Sequence, residues 1–176
     1  MLMRAPVVEH GFSLVELVVT MLVISIAVLG ITSALSFGLR HQSDGLWQAK
    51  SLALIDSYVE EILSRRFDEA SPPGGVPPCD GVTCSDAASF DDGETRAEYD
   101  DVDDYDGLVE NPPRWIDGTV RAGYDGYAVS IQVRYPTAAE VTTLGLGSAI
   151  DAKLITVNVA PPGLNTLSVG VVKTNF

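Results

Sequence analysis

Residues 11–39 read GFSLVELVVTMLVISIAVLGITSALSFGL, and the 23 residues from Leu17 to Leu39 carry no charge. A helix rises about 1.5 Å per residue, so about 20 apolar residues cross a hydrocarbon core of about 30 Å. The stretch is therefore long enough to be a transmembrane helix. A secretory signal peptide fits it poorly. Such a signal sets a positive region directly against a short apolar core and follows it with a small-residue cleavage site. Here Arg4 is far upstream, Glu16 heads the apolar run, and SALS at 33–36 is a weak cleavage sequence. A plain single-pass anchor accounts for the composition but leaves Glu16 unexplained.

A lone carboxylate at the apolar boundary of a membrane costs a few kcal/mol unless it is paired, protonated or able to reach the interface. No basic residue lies within helical reach of Glu16. The only abrupt change of character nearby falls between Gly11 and Phe12, where the leader MLMRAPVVEHG gives way to the apolar run. A cut there would create a free α-amino group on Phe12. One turn of helix in the same chain holds that amine awkwardly for Glu16, whereas a neighbouring copy shifted along the axis presents it directly.

The pattern G-F-S-L-V-E, with Gly11 closing a short leader and an apolar helix following, resembles the class III signal of type IV pilins and pseudopilins. The resemblance implies that a prepilin peptidase cuts after Gly11 and N-methylates Phe12, and that Glu16 contacts the terminal amine of an adjacent subunit during assembly. It implies an α+β fold, with a long amino-terminal helix packed through its second half on an antiparallel sheet. The expected partition is a leader over 1–11, a transmembrane and assembly half-helix over 12–40, and a periplasmic globular domain over 41–176. The implied partners are the prepilin peptidase, other pilins or pseudopilins, the inner-membrane assembly platform and, before assembly, membrane lipid. The implied location is the bacterial inner membrane and then a pilus at the cell surface. Three later segments, SLALIDSYVEEILSRRFDE at 51–69, DDVDDYDGL at 100–108 and KLITVNVAPPG at 153–163, together with the final KTNF, resemble MshD-type minor pilins of the mannose-sensitive haemagglutinin pilus. The likeness to PilV-type minor pilins is looser.

The rest of the chain suits one domain. At 176 residues, a second full domain would leave each too small a core. The formal net charge of -13 repels a polyanion, which makes nucleic acid a poor partner.

After Arg40 the sequence turns amphipathic. Ala49, Leu52, Ile55, Val59, Ile62 and Leu63 recur at steps of three and four, with Asp56, Glu60 and Glu61 off the stripe. This predicts one continuous helix over Phe12 to Phe67, stopped before SPPGGVPP at 71–78. GYAVSIQVRYP at 126–136 alternates, placing Tyr127, Val129, Ile131, Val133 and Tyr135 on one face. KLITVNVA at 153–160 and TLSVGVVK at 166–173 predict two more strands joined by PPGLN, and a weak strand is predicted around 115–120. The expected sheet has three or four antiparallel strands, with its apolar face burying the helix stripe.

Cys79 and Cys84, with four residues between them in PPCDGVTCSD, are expected to form a disulfide, the alternative being two free thiols in a loop. Two thiolates without a nearby histidine cannot complete a tetrahedral zinc site. Their position does not match the carboxy-terminal disulfide loop of major pilins, which favours a minor subunit.

Ten acids and one base, Arg96, lie between Asp86 and Asp106. An EF-hand register with Gly107 at its sixth position puts Val102 at the first ligand and Pro113 where the bidentate Glu belongs, so that template fails. The expectation is a solvated acidic loop and no cofactor, with calcium in another geometry as the alternative.

No catalytic residues are expected. With the leader removed only His41 remains, close to the membrane, which leaves a Ser-His-Asp or Cys-His arrangement without its base. The sequence reading is a structural minor pilin. A pseudopilin of type II secretion is the alternative within that class, and a membrane-tethered binding module is the alternative outside it.

Overall fold

A computed structural model of the chain describes residues 13–86, 90 and 93–175, with the side chains of 39–44 outside that description. Among the described residues the elements are helix α1 (Leu14–Leu63), a 3-10 turn (Asp103–Tyr105), strands β1 (Val109–Glu110) and β2 (Ala128–Arg134), helix α2 (Ala138–Leu144), a second 3-10 turn (Ala149–Asp151), and strands β3 (Ala152–Ala160) and β4 (Leu167–Thr174). The class is α+β, as expected. The chain divides after Gly45 into two compact units, and α1 contributes to both.

In the first unit the stretch of α1 from Leu17 to Gly38 carries no charge, and each residue from Leu14 to Gly38 is exposed. Its hydroxyls bond back within the helix. Thr20, Ser25, Thr32, Ser33 and Ser36 each donate to the carbonyl four residues earlier, at 2.6–2.9 Å. No hydroxyl there needs water, which suits apolar surroundings. Leu14–Gly38 is long and apolar enough to cross a membrane.

In the second unit the four strands form one antiparallel sheet in the order β1-β2-β3-β4. Val129, Ile131 and Val133 of β2 pair with Val159, Val157 and Ile155 of β3, and Val157 and Ile155 pair in turn with Val169 and Val171 of β4. The period-2 alternation turns all of these to one face, where they pack on α1.

Leu54, Ile55, Tyr58 and Ile62 supply the helix side of this core. The predicted stripe is thus rotated by about one residue. Ile55 and Ile62 belong to it, Val59 is half-buried, and Ala49, Leu52 and Leu63 face outward. Tyr58 accounts for the rotation, because its wholly buried ring needs the hydroxyl partners that only the inward face supplies.

The helix also ends earlier than predicted, at Leu63. The Arg65 amide closes a tight final turn onto the Ile62 carbonyl at 3.0 Å. Lys173 then donates to the Leu63 and Arg65 carbonyls, putting a cation at the carbonyl end of the helix. The chain turns off the helix so that Phe67 and Asp68 enter the interior.

The fourth strand is β1 rather than 115–120. Residues 114–120 instead make a turn in which Trp115 and Thr119 bond at 2.7 Å and Arg114 and Val120 form an isolated bridge. Helix α2 was not predicted, although TAAE at 137–140 is a capping-box sequence. The Thr137 side chain and the Glu140 amide bond each other, the Glu140 carboxylate bonds back to Thr137, and Gly145 closes the helix at φ 70°.

Candidate functional site: the amino-terminal segment and the buried ion clusters

Gly11 and Phe12 lie outside the described residues, as do the rest of the expected leader and the side chain of His41. Glu16 is described. It lies in the first turn of α1, exposed, and its amino-terminal position suits the positive end of the helix dipole. Among the described residues no cation lies within 4.0 Å of its carboxylate. It is the one carboxylate in the apolar stretch Leu14–Gly38, whose side chains find no cover among the described residues.

Cys79 and Cys84 are joined as a disulfide, with Cα atoms 5.1 Å apart. Asp80 organises the loop from inside. Its carboxylate accepts from the Val82 amide at 3.0 Å and the Thr83 amide at 2.9 Å. The Asn175 side chain, near the chain's end, donates to the Cys79 carbonyl at 2.9 Å and the Ile150 carbonyl at 3.2 Å, tying the loop to the sheet unit.

The described end of the acidic stretch, 101–105, is not a solvated loop. Asp101, Val102, Asp103 and Tyr105 are all buried, and two ion clusters fix the stretch to the helix and sheet.

In the first cluster Glu61 accepts from the guanidinium of Arg96, from Arg121 at 3.2 Å and from the Tyr105 hydroxyl at 2.8 Å. Glu110, almost wholly buried, accepts from the Tyr58 hydroxyl, from Arg96 Nε at 3.1 Å and from the Arg114 amide at 2.8 Å. Arg121 also donates to the Arg114 carbonyl at 2.7 Å and stacks over Trp115, its guanidinium carbon 4.1 Å from the ring centroid. Two acids meet two guanidiniums, so the charges balance. Burial, reinforced by the charge and hydrogen bond of Glu61, pushes the Tyr105 hydroxyl up to about 12. Burial and Glu110 raise Tyr58 further.

In the second cluster the fully buried Lys153 ammonium donates to the Phe67 carbonyl at 2.8 Å, to Asp68 at 2.9 Å and to Asp103 at 2.6 Å. The Phe67, Phe90 and Tyr135 rings surround it, with centroids 4.4, 5.1 and 5.6 Å away. Burial alone would raise the Asp68 carboxyl. The hydrogen bond and charge of Lys153, with the Ala70 and Ser85 amides, outweigh that and hold it below its ordinary value.

Neither cluster was found in the sequence, though the signal was present. Lys153 shares parity with Ile155, Val157 and Val159, so the alternation that turns them inward turns it inward too. Glu61 lies three residues beyond Tyr58 on the same helical face.

Two acidic trios, Glu69-Asp100-Asp101 and Glu94-Asp100-Asp104, bring carboxylate oxygens within 4.8 Å of one another. Asp100 is already held by Arg66, Asp101 accepts from the Asp103 amide at 2.7 Å, and Asp104 accepts from the Asp100 amide at 2.8 Å. Protein donors occupy Asp100, Asp101 and Asp104, and we assign no cation site to the two trios.

Residues 8–32 match the family described as "Prokaryotic N-terminal methylation motif". The match covers the expected cleavage junction, Glu16 and the apolar helix as far as residue 32, and stops short of the sheet unit. Comparisons with curated proteins and with solved structures return no match. The chain thus carries a type IV pilin-like amino-terminal signal, and that signal with the apolar helix Leu14–Gly38 points to membrane anchoring.

Proposed function

We propose that the chain is a minor pilin, a structural and non-catalytic subunit of a type IV pilus of the mannose-sensitive haemagglutinin type, acting in pilus biogenesis, priming or the tip. The observation that carries the reading is the methylation motif at 8–32 lying on a half-helix whose apolar surface is exposed throughout. A prepilin peptidase removes residues 1–11 and methylates Phe12. The helix over 12–40 holds the subunit in the inner membrane until the assembly platform extracts it, and residues 41–176 form the periplasmic domain. In the filament, burial of apolar half-helices against one another supplies affinity. Glu16 pairs with the Phe12 amine of a neighbouring subunit and fixes axial register, since an unpaired charge in that bundle is strongly penalised. The minor assignment within the pilus is supported by the Cys79–Cys84 loop, which lies in the connecting region before the sheet rather than at the carboxy terminus.

Co-expression with a prepilin peptidase, followed by mass spectrometry of the amino terminus, tests the reading. The expected product begins at N-methylated Phe12. An intact amino terminus, or a cut elsewhere, overturns it.

A further inference from the structure

The two buried clusters differ in charge count. Around Glu61 two acids meet two guanidiniums. Around Lys153 one ammonium serves both Asp68 and Asp103. The Asp101 carboxylate, itself buried, is an immediate neighbour of Asp103, whose amide it accepts. Among the described residues the walls offer no second cation. They are the Phe67, Phe90 and Tyr135 rings, and the Tyr135 hydroxyl donates away from the cluster to the Ser85 carbonyl at 2.7 Å. A net negative charge in such an enclosure is costly, and taking up a proton relieves it.

The two carboxylates are not equivalent. Besides Lys153, Asp68 receives the Ala70 amide at 3.1 Å, the Ser85 amide at 2.9 Å and the Ser85 hydroxyl at 3.3 Å. Asp103 has Lys153 as its only hydrogen-bond donor among the described residues. Donors stabilise the ionised form, so the proton belongs on Asp103.

We propose that Lys153, Asp68 and Asp103 form a proton-loaded clamp: with Asp103 protonated it locks the exit of α1 at 64–68 and the turn at 101–105 onto β3, and loss of that proton loosens the lock. Lys153 is suited to this, because one side chain ties β3 to the exit of α1 at Phe67 and Asp68 and to the 3-10 turn at Asp103. Asp68 extends the tie through Ser85 to the segment leaving the disulfide loop.

The groups facing Asp103 are Lys153 from β3, Asp68 from the exit of α1 and Asp101 from its own loop. Burial dominates, Lys153 opposes it, and the two acids add to it, pushing the Asp103 carboxyl up to about 8. Asp101 is pushed up to about 6 by burial and then by Asp104. Raised carboxyls add stability that is fully present at low pH and is lost as pH rises through their folded values. Asp68, lowered, acts oppositely, and its contribution fails only in stronger acid. Stability is therefore lost from just above the ordinary carboxyl value of 3.8, where the unfolded chain already ionises, until pH passes about 8.

The test uses the full chain in detergent micelles. Thermal melts between pH 5.5 and 9 should show Tm falling by several degrees as pH rises, with amide exchange accelerating in 64–68 and 101–105 before β2 and β3. Asp103→Asn, an uncharged stand-in for the protonated acid, should abolish most of that fall. A wild-type Tm that does not fall, or an equal fall in D103N, overturns the clamp. Carbon-13 NMR of the wild-type carboxyls supplies a readout that does not depend on the variant's folding. Asp103 still protonated at pH 6.5 supports the clamp, and Asp103 ionised by pH 5 overturns it.

Discussion

Lys153 and Asp68 meet with no solvent at either side chain, Nζ 2.9 Å from the carboxylate. A residue from the start of β3 thereby holds the chain just after it leaves α1, a separation of 85 positions. Breaking a buried pair by removing one partner leaves an uncompensated charge and costs about 3–5 kcal/mol. Lys153→Ala should lower unfolding stability by that order in denaturant titrations. The triple change Lys153→Met, Asp68→Asn and Asp103→Asn should recover part of the loss, because it removes the charged pair together with the acid beside it.

Glu60 and Glu61 are adjacent in sequence and opposite in role. Glu61 binds Arg96, Arg121 and Tyr105, whereas Glu60 is exposed. Glu61→Ala leaves two guanidiniums facing a void and should destabilise the chain by roughly 3–5 kcal/mol. Glu60→Ala should stay within about 0.5 kcal/mol of wild type. Equal effects in side-by-side urea melts would contradict the assignment of the network.

The disulfide closes a short loop, with Cys79 and Cys84 five positions apart. The chain-entropy relation gives about 2 kcal/mol for a loop of this size. Reduction, or paired replacement by Ala, should lower Tm modestly without abolishing the fold, because the Asp80 and Asn175 hydrogen bonds persist. Collapse of the fold on reduction would mean that the loop carries more than its closure entropy.

Gly126 combines φ 77° with a wall. A Cβ at that position would meet Pro162 Cγ at 3.1 Å. Gly126→Ala therefore strains the backbone and crowds the β3–β4 turn at once, and should cost more than about 1 kcal/mol. Gly123→Ala shares the positive φ but has open space at its Cβ, so it should cost less. Calorimetry of the two variants compares them directly.

Glu16 faces outward on α1 with no cation near it among the described residues. Glu16→Ala should leave membrane insertion intact while sharply reducing recovery in sheared filaments. Wild-type incorporation of that variant would remove the register role proposed for the carboxylate.

Much of the architecture is legible in the chain because it follows from local periodicity. The uncharged run fixes an apolar helix, the alternation over 126–136 fixes a half-buried strand, and the two later runs fix β3 and β4 within a residue or two. Where reading by pattern goes astray, a polar side chain sits inside. Tyr58 rotates the helix stripe, and Asp68 with Phe67 pulls the chain off α1 early. Asp101 and Asp103 look like surface charge because sequence shows an acid's sign but not its partner.

By itself, then, the sequence determines the amino-terminal signal, the apolar helix, the α+β class and the pairing of two close cysteines, all set by residues near one another along the chain. Only the tertiary structure decides which charges are buried. Lys153 reaches Asp68 and Asp103, and Glu61 reaches Arg96 and Arg121, across separations of 35 to 85 positions. The free energy of an ion pair depends on the distance between its members and on the solvent removed around them, and neither quantity exists until the chain has folded.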